Sequence, residues 1–203
     1  MGTDVAPRAG VAGIVLAAGL SERMGRCKLA LPFRTKPLLA HVVAAAAASH
    51  LSPLIVVLGE DAPHLKESID FERARVRVNP HSRTGRASSL KTGLQQVPPE
   101  CTGAMVLLGD QPLVTAVLIN TLLASFRRHP DQWVAPVYRG RRGNPVVIPR
   151  RWFPDLLTLA GDQGPRRLLS SPGLQLHLVE VDDPAVVIDV DTPEDYQALK
   201  SGQ

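Results

Sequence analysis

The segment Ile14-Val15-Leu16-Ala17-Ala18-Gly19-Leu20-Ser21-Glu22-Arg23-Met24-Gly25, followed by Lys28, constrains the fold more than any other. An unbroken apolar run ending in a loop of small residues describes a buried strand that turns sharply toward a helix. In such a loop, backbone N–H groups can approach a polyphosphate closely, and Arg23 and Lys28 supply the charge that its oxygens pair with. A plain strand-to-helix turn needs neither cation. The segment therefore points to a nucleotide site.

Apolar runs rich in branched residues recur at 11–17, 54–58, 104–108, 132–137 and 145–148. Helix-like stretches separate most of them, at 37–49, 62–68, 88–96 and 115–128. This alternation predicts an α/β fold, a three-layer sandwich with a mostly parallel sheet covered on both faces. The polar stretch Tyr138-Arg139-Gly140-Arg141-Arg142-Gly143-Asn144, between two apolar runs, predicts an inserted antiparallel hairpin. Helices are expected at 152–160, 165–170 and 193–200, and a strand at 175–181. Residues 1–10 read as a flexible leader, and 11–200 as a single domain. A chain of 203 residues with 44% hydrophobic content suffices for one buried core and falls short of two.

The 23 basic and 19 acidic residues are dispersed rather than gathered in one run, which suits an anionic small ligand at least as well as nucleic acid. With 4% aromatics, base-stacking platforms are not expected, so nucleic acid is not a predicted partner. No stretch approaches a membrane span, and the first ten residues lack the order of a signal peptide, so no membrane association and a cytoplasmic location are expected. Myristoylation at Gly2 is excluded by Ala6, where the motif wants Ser or Thr. Cys27 and Cys101 form no metal or redox pattern; Cys27 is flanked by Arg26 and Lys28 but reads as an incidental thiol. His64, His81 and His177 have no ligand or triad spacing.

In an open parallel sheet, ligands gather at the carboxyl ends of strands. Residues there form a coherent set: the loop 17–25 and Lys28, then Gly109-Asp110-Gln111-Pro112, then Asp189-Val190-Asp191-Thr192-Pro193. Asp110 and Asp191 are candidate ligands of Mg²⁺, which uses one or two carboxylates together with substrate phosphates. Taken singly, Asp110 can start a turn and Asp191 can cap the last helix. Their occurrence beside a cationic phosphate loop favours a metal site. Between them lies the polar stretch 79–93, in which Gly85, Ser88 and Ser89 offer groups that can read a base edge, while Ser88 can equally cap a helix.

These motifs, together with Lys36-Pro37-Leu38-Leu39 and Gly143-Asn144-Pro145, resemble the MobA-like nucleotidyltransferases, collinearly from about residue 11 to 199. Within that family the likeness is to the cytidylyltransferases of molybdenum cofactor synthesis. The resemblance implies a Rossmann-like fold and transfer of CMP from CTP to the phosphate of molybdopterin, releasing pyrophosphate. It implies that Leu16, Ala17, Ala18, Gly19, Ser21, Arg23, Gly25 and Lys28 bind the nucleotide with Gly85, Ser88, Ser89 and Asp110. Asp110 and Asp191 would hold Mg²⁺, and Arg23, Lys28 and Asp110 would carry catalysis. Gln111, Pro112, Gly143, Asn144 and Pro145 would meet the acceptor, with residues 139–145 and 152–167 bordering its pocket. Ala-Ala-Gly at 17–19 accompanies cytidylyl rather than guanylyl transfer in this family. A molybdoenzyme or its chaperone is the implied protein partner.

Two departures stand out: Arg86 follows Gly85 where the family has a small residue or Met, and residues 29–34 read Leu-Ala-Leu-Pro-Phe-Arg. Transfer from GTP, a sugar or polyol phosphate acceptor, and a non-catalytic nucleotide- or cofactor-binding module serving a molybdoenzyme remain alternatives.

Overall fold

The computed structural model describes residues 10–19, 24, 25 and 27–202. The expected leader lies outside the described residues except for Gly10, whose carbonyl accepts a hydrogen bond from the Thr102 amide. In chain order the elements begin with β1 (Val11–Ala17), β2 (Pro32–Phe33), β3 (Lys36–Pro37), α1 (Leu38–Ala47), β4 (Leu54–Leu58) and α2 (Ala62–Ser68). They continue with β5 (Arg75–Val78), α3 (Arg86–Leu94), β6 (Gly103–Leu108), α4 (Ala116–Arg128) and β7 (Trp133–Tyr138). The last are β8 (Arg141–Arg142), β9 (Val146–Pro149), α5 (Phe153–Thr158), β10 (Leu176–Glu180) and α6 (Pro193–Ser201).

One sheet has the strand order β10-β7-β9-β6-β1-β4-β5, with β8 paired to β7. Every pairing is parallel except those of β9 with β6 and β7 and of β8 with β7. The expected hairpin is thus a β7–β8–β9 excursion that inserts β9 between β6 and β7. The β2–β3 pair forms a separate antiparallel ribbon. No described helix is long and apolar enough to cross a membrane.

Alternation along the central strands divides the core. Val11, Val15, Leu54, Val56 and Leu58 face α1, α2 and α4, through Leu39, Val43, Leu65, Leu122 and Phe126. Ala12, Ile14, Ile55 and Val57 face α3 and α5, through Leu90, Leu94 and Leu156. Both faces being apolar explains why these strands read as continuous runs rather than alternating ones. A third cluster, of Leu31, Phe33, Leu38, Val190, Tyr196 and Leu199, pins the β2–β3 ribbon and α6 beside the carboxyl end of the sheet. There the Tyr196 hydroxyl donates to the Pro32 carbonyl at 2.6 Å.

Three local expectations change. Helix α3 starts at Arg86, not Ser88, because Gly85 occupies the N-cap with φ 110° and ψ 170°. Residues 165–170 form a 3₁₀ helix rather than an α-helix. The sixth helix is capped by Thr192, whose hydroxyl accepts from the Asp195 amide while the Asp195 carboxylate answers the Thr192 amide, so Asp191 is not its cap.

Candidate active site

The carboxyl ends of β1 and β6 are tied together by the Gly109 amide donating to the Leu16 carbonyl at 2.9 Å. The Val190 amide donates to the Asp110 carbonyl at 3.0 Å, drawing residues 189–191 onto the same end. These two backbone bonds bring together side chains far apart in sequence. Lys28, at the start of a three-residue 3₁₀ turn, places its Nζ 2.6 Å from Asp110 Oδ2 and 2.7 Å from Asp191 Oδ1. Burial works against the charge of Lys28, but the two carboxylates outweigh it and its pKa ends above the ordinary lysine value. Asp189 stands close by: burial, then the charges of Asp110 and Asp191, push its carboxyl above the usual range.

Around this centre opens a cleft of about 500 Å³, lined by Leu16, Ala17, Ala18, Gly19, Lys28 and Leu29 from one side of the strand ends. Ser82, Arg83, Gly85, Arg86 and Ser89 line the second side, and Leu108, Asp110, Asp162, Asp189 and Asp191 complete it. Of the residues singled out in the sequence, Leu16, Ala17, Ala18, Gly19, Lys28, Gly85, Ser89, Asp110 and Asp191 therefore share one cavity. Ser21 and Arg23 lie outside the described residues. Gly25, with φ 62°, and Ser88 are not part of the lining. Gln111 and Pro112 are buried away from it. Gly143 and Asn144 instead lock the hairpin down: the Gly143 amide donates to Pro136 and the Asn144 amide to Val186, each at 2.9 Å. A Cβ on Gly143 would overlap the Val186 backbone, so the glycine permits that close approach, and Pro145 follows it outside the lining.

The second wall is organised by a residue the sequence reading did not single out. Asn79, buried at the end of β5, donates through Nδ2 to Ser88 Oγ at 2.8 Å and Ser89 Oγ at 2.9 Å. Its Oδ1 accepts from the His81 amide at 2.9 Å. The Ser88 hydroxyl is directed at the His81 and Gly85 carbonyls, which engages it in the loop itself. Ser89, by contrast, accepts from Asn79 and lines the cleft. Gly85 is required where it stands, since a Cβ there would come within 2.7 Å of the Asp162 amide nitrogen and closer still to the Gly161 carbonyl. That carbonyl accepts from the Ala87 amide at 3.0 Å, so residues 161–162 seal the first turn of α3 and put Asp162 on the rim.

Two buried oxygens in the cleft wall, Ser82 Oγ and Asp110 Oδ1, have no hydrogen-bond partner among the described residues. Buried polar atoms without partners are costly, and both line a cavity in which a ligand can satisfy them. Asp110, Asp191 and the nearby Asp189 give oxygen donors of the kind a hard divalent cation takes. No described cluster of three or more ligating side chains could hold a metal by itself, so phosphate or water oxygens would fill the remaining positions. The Cys27 thiol is pushed up to about 11, first by burial and then by the neighbouring Asp61, so it is a protonated thiol rather than a nucleophile.

The sequence model of the MobA-like NTP transferase domain matches residues 13–193. The chain is 30% identical over 197 residues to purine catabolism protein PucB of Bacillus subtilis, covering 93% of this chain and 95% of that protein. It is 29% identical to nicotine blue oxidoreductase of Paenarthrobacter nicotinovorans, covering 93% and 96%. With molybdenum cofactor cytidylyltransferase of Escherichia coli it shares 26% identity, covering 92% and 94%. Among solved structures, an Rv0371c homologue from Mycobacterium sp. strain JC1 superposes with a TM-score of 0.86 at 33% identity, covering 97% and 98%. Mycobacterium tuberculosis Rv0371c in complex with manganese superposes with a TM-score of 0.79 at 28% identity, covering 96% and 100%.

Proposed function

The chain belongs to the MobA-like NTP transferase family, and from that premise we propose that it transfers CMP from CTP to a phosphorylated acceptor, molybdopterin, releasing pyrophosphate. The observation that carries this reading is Lys28 held between Asp110 and Asp191 at the mouth of a cleft walled by Ala17, Ala18 and Gly19. Such a centre can pass from an ion-paired state to a substrate-bound one without creating an unpaired buried charge. When a triphosphate enters, the ammonium can turn to phosphate oxygens while the carboxylates take a cation.

An acceptor phosphate oxygen forms a bond to the α-phosphorus, the bridging α–β P–O bond breaks, and its electron pair leaves with pyrophosphate. No protein nucleophile is needed, so the chain's work is positioning and charge neutralisation. Lys28 neutralises phosphate oxygens, the backbone from Ala17 to Gly19 cradles them, and Ser82 and Ser89 present hydroxyls to the nucleotide. A divalent cation held by Asp110 and Asp191, magnesium in this reading, polarises the α-phosphate when bound. Support comes from the manganese complex of Rv0371c. The cytidine preference rests on Ala18, which lines the cleft as the second residue of the Ala-Ala-Gly run.

The relatives bear three different names at similar identity, so the acceptor must be tested directly. CTP and GTP are combined with molybdopterin and with sugar and polyol phosphates, and pyrophosphate release is followed with Mg²⁺ or Mn²⁺. Release with CTP and molybdopterin, lost in Asp110→Ala, is expected. Release only with another acceptor overturns the acceptor assignment, and wild-type turnover in the folded variant overturns the metal assignment.

A further inference from the structure

The main sheet ends in β5 on one side and β10 on the other, and each of these strands is paired with a single neighbour among the described residues. A sheet edge offers its outward N–H and C=O groups to any strand that comes alongside, so proteins guard such edges with charge, proline or a bulge. The edge at β5 is guarded. The Asn79 amide donates to the Leu58 carbonyl, so by alternation residues 75, 77 and 79 turn their backbone groups toward β4, while Val76 and Val78 turn theirs outward. If two copies of β5 paired antiparallel through Val76 and Val78, the two Arg77 side chains would stand directly opposite each other at the closest cross-strand spacing. Moving that register by one pair sets Arg75 against Arg77 instead. Like charges thus oppose self-pairing at this edge.

The edge at β10 has no such guard. Its sequence, Leu176-His177-Leu178-Val179-Glu180, contains no lysine, arginine or proline, and Leu178 is 47% exposed. The Trp133 amide donates to the Gln175 carbonyl and the Val181 amide to the Val137 carbonyl, so the odd-numbered residues from 175 to 181 face β7. Leu176, Leu178 and Glu180 therefore turn their backbone groups outward, and these three residues define a register. When two copies pair antiparallel about a twofold axis at Leu178, Leu178 meets its own counterpart and Leu176 meets Glu180, each as a hydrogen-bonded pair. Every outward N–H and C=O of both strands is then satisfied. Displacing the register by one pair leaves Leu176 or Glu180 without a mate inside the strand. Charge favours the same arrangement. The start of β10 lies beside the end of α4, where His129 stacks on His177 and Arg127 and Arg128 form the exposed last turn. The far end of β10 carries the exposed Glu180 and runs into the exposed Asp182. A strand cationic at one end and anionic at the other complements a second copy of itself when the two run antiparallel.

We propose that the outer edge of β10 is a dimerisation surface that takes the same edge of a second copy of this chain, antiparallel and centred on Leu178. The proposal is independent of the nucleotidyl-transfer reading. Pairing joins the two sheets into one, and the leucines at the axis cover each other. They extend the apolar layer to which Leu168, Leu169, Leu174 and Leu176 belong. Because the two copies of β10 run in opposite directions, the carboxyl ends of the two half-sheets point to opposite ends of the assembly. The clefts stay apart, and each subunit keeps its own.

The full-length protein is followed by sedimentation equilibrium across a dilution series, as wild type, as Leu178→Lys, as Leu178→Glu and as an equimolar mixture of the two variants. Wild type is expected to show a reversible monomer–dimer equilibrium. Each charged variant removes an apolar contact and sets like charges against each other at the axis, so alone it should raise the dissociation constant by about a hundredfold or more. In the mixture the ammonium of one chain faces the carboxylate of the other, and the dimer should return. That rescue is specific to the register, since no other antiparallel alignment brings residue 178 against its counterpart. Leu178→Asn, which removes the leucine without adding charge, should weaken the dimer by about tenfold. Arg77→Ala, on the opposite edge, should leave the equilibrium unchanged. Cooperative thermal unfolding shows that each variant is folded, as expected for changes at an exposed position. A wild type that is monomeric at every concentration overturns the proposal and gives the edge to a partner other than this chain. A dimer that persists in Leu178→Lys, or a mixture no more associated than its components, overturns it as well.

Discussion

Replacing Lys28 by Met tests the ionic centre without disturbing its shape, since the stem is kept and only the ammonium is removed. In the native structure the ammonium neutralises two carboxylates at 2.6 and 2.7 Å, with Lys28 10% exposed and the aspartates 19% and 30% exposed. Removing one partner of a buried ion pair costs about 3–5 kcal/mol, because the remaining charge is left uncompensated. The partial exposure of both aspartates lets water screen what remains, so a loss of roughly 2–3 kcal/mol is expected. For a chain of this size that corresponds to a fall in Tm of roughly 5–10 °C. Differential scanning calorimetry in metal-free buffer at neutral pH reads it directly. The pH dependence has a definite sign. In the wild type the folded pKa of Lys28 is raised, so its contribution is complete below the lysine value of 10.5 and fades as pH rises through the folded pKa. Mn²⁺ should raise the Tm of the variant more than that of wild type, because the ammonium no longer competes for the carboxylates. An unchanged or higher Tm in metal-free buffer would refute the argument.

Three further outcomes follow from other parts of the molecule. Gly85→Ala forces a side chain into a backbone with φ 110° and against residues 161–162, so it should lose roughly 1–3 kcal/mol in strain alone, read by urea unfolding, and abolish CTP binding. Ser82→Ala removes a buried hydroxyl that has no hydrogen-bond partner among the described residues, so stability should hold or rise while CTP affinity falls about tenfold, a split visible by calorimetry. His177, stacked on His129 with ring centroids 4.0 Å apart, is held below the ordinary histidine value by burial, then by His129 and Arg128. Stability should therefore decline as pH drops from about 6.5 through the folded pKa, and His177→Gln should flatten the Tm profile between pH 7 and 5.

The parallel core was legible because its strands are apolar on both faces: Leu54 to Leu58 needs no knowledge of its neighbours to be recognised. The edge strand Arg75-Val76-Arg77-Val78 escaped notice because it alternates charged with apolar residues rather than forming an apolar run, and its one-sided partner, β4, supplies the order that its composition does not. Helix α3 was placed two residues late for a related reason. Serine is a good N-cap, but Gly85 alone can take the backbone conformation needed beside Gly161, a contact made across 76 residues of sequence that no local propensity encodes. The site shows the same division. Lys28, Asp110 and Asp191 could each be suspected from their places after apolar runs, yet their separations of 82 and 163 residues hide the ion pairs that join them. Asp189 shares their motif and Asn79 only ends a strand, so chemistry could not rank them; the sheet order that sets β6 beside β1 does.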